Sequence, residues 1–202
     1  MEKAYYDAQV KYINEIRSIK HDMQAHLIVL QYYLDTEDYE SAKSYLSDMK
    51  KHQYVASMVY KDTGHDMVNA IVSDILSDSK KTIEFCVDGI LPMYFGMKDY
   101  DICTLFSNMI SNAKEACERL ENESSRICLC VKESDTEYLI SMKNPIEWKV
   151  DMEGTRFVST KKDKNSHGYG TKNMIKVVKQ YKGNIDFLIT DNMFSVDIVL
   201  PK

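Results

Sequence analysis

From residue 3 to residue 34 the chain contains neither glycine nor proline, and its apolar residues fall at Ile13, Ile16, Ile19, Met23, Leu27, Leu30 and Leu34. Steps of three and four put all of them on one face of a single long helix, because an α-helix repeats about every 3.6 residues. The run Asp35-Thr36-Glu37-Asp38 reads as a short turn, with Thr36 or Asp38 as the cap of a second helix. That helix, over about 38–60, carries Tyr39, Ala42, Tyr45, Leu46, Met49, Tyr54 and Met58. Two helices joined by a tight turn form a hairpin. A lone hairpin cannot bury both apolar stripes, whereas two copies packed as a four-helix bundle can. The first third of the sequence therefore predicts a homodimer.

A turn at Thr63-Gly64 ends this region, and the pattern changes after it. Helical spacing is expected over 66–80, 98–120 and 171–182. Strands are expected over 82–87, 126–132, 137–143, 184–190 and 193–200, where Ile127, Leu129 and Val131, or Tyr138, Ile140 and Met142, alternate with polar residues. Residues 145–169 are polar and without period. The fold class read from this order is α+β, with a mostly antiparallel sheet behind an N-terminal helical hairpin. The expected domains are 1–62 and 63–202.

Composition excludes several classes. Apolar residues make up 44% and charged residues 28%, ordinary values for a globular chain. A net charge of −5 argues against a general nucleic-acid binder. No apolar run approaches the roughly 18 residues that span a bilayer, and no signal peptide opens the chain. The polypeptide reads as cytoplasmic, and as compatible with being the soluble part of a longer membrane protein. The five cysteines include no CxxC pair and are expected to be reduced, partly buried thiols.

Three clusters could carry chemistry. With Met23 at the centre of the apolar stripe, His21 points roughly 160° away and is exposed. A neutral imidazole there is a possible nucleophile, and the carboxylate of Asp22 beside it a possible base. By itself an exposed His-Asp pair more often reads as solvated surface, while His26, nearer the packing face, reads as structural. In Asn108-Met-Ile-Ser-Asn112-Ala-Lys-Glu115-Ala116, steps of four and three place Asn108, Asn112 and Glu115 on one helical stripe. Amide oxygens are hard ligands suited to Mg²⁺, which usually arrives with substrate phosphates; a plain polar stripe is the alternative. Finally, Ser166-His167-Gly168-Tyr169-Gly170-Thr171 precedes a helix and lies among seven lysines of an acidic chain. Glycines admit a phosphate close to the backbone, and a helix N-terminus favours anions.

Read in order, these pieces resemble one family. Arg17-x-x-Lys20-His21-Asp22-Met-x-x-His26-Leu27 is similar to the phosphoacceptor box of AgrC-like, peptide-pheromone quorum-sensing histidine kinases. NMISNAKEA resembles the N-box, and HGYGTKNM the second glycine box, of the GHKL ATPase superfamily, which gyrase, mismatch-repair ATPases and certain chaperones share. The resemblance implies a dimerising hairpin followed by a Bergerat-type α/β sandwich that binds ATP with Mg²⁺. It implies phosphorylation of His21 with Asp22 as base, and onward transfer to an aspartate of a response regulator. Asn108 and Asn112 would hold Mg²⁺-ATP, with Glu115 on the same stripe. Gly168 and Gly170 would shape a lid ending at Thr171, and Asn144 would read adenine through its amide oxygen. A membrane-embedded sensor region, absent from this chain, would supply the signal.

Asn108 stands where hydrolytic members carry a water-activating Glu, which favours transfer to a side chain over hydrolysis. Ala25 departs from the Asn usual four residues after the phosphoacceptor, which argues against strong phosphatase activity. Lys20 and Ser111 also depart from the usual Arg and Asp. The alternative is a phosphotransfer scaffold whose second domain is degenerate and binds no nucleotide.

Overall fold

The computed structural model describes residues 2–49, 62–94, 96–122, 124–146, 152–153, 156–157 and 169–202, with the backbone alone for 2–16, 18, 19, 152, 153, 156 and 157. The chain divides into two compact units, Met1–Gln53 and Tyr54–Lys202. No helix among the described residues is long and apolar enough to cross a membrane.

The first unit is a helical hairpin of α1 (Glu2–Asp35) and α2 (Tyr39–Met49). The expected extension of the second helix to about 60 lies outside the described residues. Glu37, at φ 57°, makes the turn. Of the two candidate caps, Asp38 serves α2: its carboxylate accepts from the Ser41 amide at 3.1 Å. The Thr36 hydroxyl instead donates back to the Tyr32 carbonyl at the end of α1. The hairpin seam uses His26, Val29, Leu30 and Tyr33, all half-buried, opposite buried Ala42 and half-buried Tyr45. His26 meets the Tyr45 hydroxyl at 2.8 Å, which gives it the structural role expected of it. Of the four stripe residues whose side chains are described, Leu30 is in this seam, whereas Met23, Leu27 and Leu34 are each more than half exposed.

The second unit is a two-layer α+β sandwich. Its elements are α3 (Asp66–Ser77), β1 (Thr82–Asp88), α4 (Asp99–Arg119), β2 (Ser124–Glu133), β3 (Glu137–Pro145), β4 (Met152–Glu153), β5 (Arg156–Phe157), α5 (Tyr169–Gln180), β6 (Asn184–Thr190) and β7 (Met193–Pro201). The main sheet has the order β1-β2-β3-β7-β6. Consecutive strands joined by short turns pair antiparallel, as the alternating pattern predicts. The sheet is nevertheless mixed, because β1 and β2 run parallel. A parallel pair needs a long crossover, and α4 provides it. Within 145–169, where no element was expected, β4 and β5 form a small antiparallel ladder.

One face of the sheet packs on the helices. Ile83, Phe85 and Val87 of β1, Ile127, Leu129 and Val131 of β2, and Ile140 and Met142 of β3 are buried there. They meet Val68, Val72 and Leu76 of α3 and Ile102, Leu105, Phe106, Met109, Ile110, Ala113 and Cys117 of α4. Burying such side chains contributes about 1.5–3 kcal/mol each, which fixes α4 on the sheet in one rotational setting. Gly89 is required where β1 ends: its φ is 97°, and a Cβ there would run into the Val131 carbonyl.

The reading of five free thiols holds for Cys103, Cys117 and Cys130 among the described residues. Cys86 and Cys128 depart from it and are joined as a disulfide. The parallel pairing sets them directly opposite each other, a placement that no local pattern reveals.

Candidate functional site

The rotational setting of α4 decides what its polar stripe can do. Ile102, Phe106, Met109, Ala113 and Cys117, the apolar set read from the sequence, are all buried. Asn108, Asn112 and Glu115 are thereby left half-buried on the helix flank. The Asn108 amide donates through Nδ2 to the Thr104 carbonyl one turn earlier, at 2.6 Å. That bond fixes which end of the amide is the oxygen and leaves Oδ1 on the side of α5.

Gly170, in the first turn of α5, lies directly against this oxygen. A Cβ at Gly170 would stand 2.8 Å from Asn108 Oδ1 and 3.9 Å from Asn112 Nδ2. A Cβ there would force the Asn108 side chain to shift, so glycine is what leaves this approach open as it stands. Two motifs about 60 residues apart thus meet, and Thr171 follows half-buried in the same turn. The Glu115 carboxylate faces Arg119 at 3.7 Å. Gly168 lies outside the described residues.

Asn144 is on the helix-facing side of β3, in the row of Ile140 and Met142, and is only 2% exposed. Its Nδ2 donates to the Pro145 carbonyl at 3.0 Å. With the amide nitrogen engaged, the side-chain oxygen is the group left to accept a hydrogen bond.

A second network secures α5 against α4 and was not found in the sequence. The Tyr181 hydroxyl donates to buried Asp101 at 2.6 Å, and Gln180 Nε2 donates to the same carboxylate oxygen at 3.1 Å. The Lys98 amide donates to the Tyr181 oxygen at 3.0 Å. Donation to the carboxylate pushes the Tyr181 phenol above its usual range, with the Lys98 amide opposing. The partners are about 80 residues apart in the chain, and the available signals were only a carboxylate in a helix's first turn and a tyrosine after another helix.

In the hairpin unit, His21 and Asp22 are exposed, with side chains 82% and 66% accessible. His21 Nδ1 lies 3.3 Å from Asp22 Oδ1. The exposure expected from helical geometry is observed, and the neighbouring carboxylate is in reach of the ring.

The second unit therefore belongs to a class defined by a helix layer on a mixed sheet, with an asparagine-bearing helix beneath a glycine-opened one. The sequence model of the GHKL domain matches residues 97–201, just over half of the chain, and the protein belongs to that family. No curated protein matches the sequence. Similar solved structures include the catalytic domain of histidine kinase ThkA (17% identity, 72% of this chain and 97% of that one, TM-score 0.48). Another is the Acinetobacter baumannii histidine kinase AdeS (13% identity, 90% and 97%, TM-score 0.48). A third is the mycobacterial sensor histidine kinase MprB (15% identity, 67% and 93%, TM-score 0.46).

Proposed function

We propose that this chain is the transmitter core of an AgrC-like sensor histidine kinase: it binds Mg²⁺-ATP in the second unit and moves the γ-phosphoryl group to His21. The observation that carries the reading is the approach of Gly170 to Asn108 and Asn112 in a GHKL domain. It sets Gly170, in the segment that resembles the glycine box, against the asparagines of the segment that resembles the N-box, with a hard amide oxygen close to the α5 backbone.

The residues present fit the group they would hold. Asn108 Oδ1, oriented by Thr104, and the Asn112 amide oxygen are suitable Mg²⁺ ligands. The ion, when bound, neutralises phosphate charge. Gly168, Gly170 and Thr171 would line the phosphates, Asn144 would accept from the adenine amino group, and Glu115 would border the site. Asn108 cannot serve as a base toward water, so the chemistry favoured is transfer to a docked side chain. His21 would attack the γ-phosphorus, with ADP leaving, while Asp22 takes the imidazole proton. Positioning and charge neutralisation account for most of such a rate enhancement.

The exposed residues Met23, Leu27 and Leu34 of α1 support a homodimer in which two hairpins form a four-helix bundle. In this reading the domains are 1–62 and 63–202. A response-regulator aspartate receives the phosphoryl group, and a membrane-embedded sensor region outside this chain tethers it to the cytoplasmic side of the membrane. The test is incubation with γ-labelled ATP and Mg²⁺. An acid-labile label on wild type and none on His21→Gln is the expected result; equal labelling of both rejects the assignment.

A further inference from the structure

The sheet has a second face, opposite the helices, and the residues of β1 and β2 that alternate with the buried ones, Cys86, Cys128 and Cys130 among them, lie on it. Cys86 and Cys128 stand directly opposite one another there, with Cα atoms 4.7 Å apart, inside the range a disulfide needs. We infer that Cys86 and Cys128 form a reversible thiol–disulfide switch, set by low-molecular-weight thiols and disulfides, that closes and opens the chain segment carrying α4.

Three observations support it. The pairing is selective. Cys130 shares the face but stands opposite Asp88 on one side and Ser141 on the other, while Cys117 is on α4 and buried in the core between helices and sheet. Access is available, since Cys86 and Cys128 are both half-buried rather than enclosed. The bond also has leverage. It links residues 42 apart, and the loop it closes contains all of α4, including Asn108 and Asn112. Among the described residues β1 is the edge strand of its sheet and pairs with β2 alone, so the bond ties that edge to the interior.

The exchange is balanced with a low-molecular-weight disulfide as oxidant. One protein thiolate attacks it, forms a mixed disulfide and releases one thiolate. The second protein thiolate attacks the protein sulfur of that mixed disulfide and releases the other. The two protein thiols lose two electrons and two protons; the oxidant's two sulfurs gain the electrons. Reduction is the reverse. Closing a loop of this length restricts the unfolded chain, so the oxidised unit is the more stable form. This inference does not rest on the proposed kinase activity.

The test uses the whole chain, equilibrated with reduced and oxidised glutathione in graded ratios, quenched, alkylated and mapped by mass spectrometry without reduction. The expected result is a single Cys86–Cys128 linkage that forms and opens reversibly with the ratio. The melting temperature should fall by roughly 5–15 °C on reduction. Cys86→Ser and Cys128→Ser should melt alike with and without reductant, and Cys103→Ser and Cys130→Ser should respond as wild type does. The proposal is overturned by glutathione adducts without the linkage, by a dominant link to Cys130 or Cys103, or by a bond that reductant cannot open while the chain is folded. Because the mapping is done on wild type, a variant that fails to fold leaves the answer intact.

Discussion

His21 and Asn108 would meet in one reaction, yet the molecule holds them in opposite ways. His21 stands out from α1 with most of its side chain in solvent and one neighbouring carboxylate at 3.3 Å. Asn108 is half-buried, tied to Thr104 at 2.6 Å and closed over by Gly170. In the proposed function the difference matches two tasks. An acceptor that must receive a phosphoryl group and surrender it to another protein has to be reachable. A site that holds a polyphosphate with its metal needs donors fixed beforehand, because ordering them at the moment of binding costs affinity. Substitution at His21 should therefore affect transfer alone, whereas substitution around Asn108 should affect binding.

The largest effect is expected from His21→Gln, with complete loss of the acid-labile label. ATP affinity by calorimetry should stay within about twofold, and the melting temperature should not move, since exposed substitutions usually change stability by less than about 0.5 kcal/mol. A weaker ATP affinity in this variant would break the contrast. Next comes Gly170→Ala. The added methyl meets Asn108 Oδ1, which cannot swing away without giving up its bond to Thr104. Mg²⁺-ATP affinity should fall about tenfold or more, equivalent to about 1.4 kcal/mol, with little change in melting. Unchanged affinity would remove Gly170 from the site, and no titratable binding even in wild type would favour the scaffold reading.

Tyr181→Phe sharpens the comparison from a distance. It removes a donor from buried Asp101 and should destabilise the second unit by roughly 1–3 kcal/mol, seen as a lower melting temperature. Labelling of His21 per folded molecule should persist at reduced ATP affinity, because the α4–α5 register loosens. The smallest effect concerns the hairpin. The Ser41 hydroxyl and then its amide hold the Asp38 carboxyl below its ordinary value of 3.8. A depressed carboxylate pKa contributes stability that is complete above 3.8 and is lost as pH falls through the lower folded value. Hairpin helicity by circular dichroism should therefore be flat down to about pH 4 and decline only below it, and Asp38→Ala should abolish that acid-dependent part.

Much of the fold was legible because it is local. The 3-3-4-4-3-4 spacing before Leu34 marks α1, and the row Ile102, Phe106, Met109, Ala113, Cys117 marks the buried side of α4. The seam of the hairpin was less legible. His26 and Tyr33 lie beside the apolar stripe rather than on it, because the partner helix of the hairpin and the outer surface make separate demands on α1. The antiparallel strands were readable from alternation and short turns. The parallel β1–β2 pair was not, since strand direction depends on where a crossover helix returns the chain.

The exposure of His21 is thus a property of the sequence, because helical periodicity alone turns it away from its apolar neighbours. The asparagine stripe of α4 is another, for the same reason. What the tertiary structure decided is which distant partners complete them: Gly170 over Asn108, Tyr181 and Gln180 on Asp101, Cys86 opposite Cys128. Those pairings span about 40 to 80 residues. They follow from the packing of α4 and α5 on the sheet and from the register of its strands, where burial of the whole apolar face selects one arrangement that no short stretch of chain specifies.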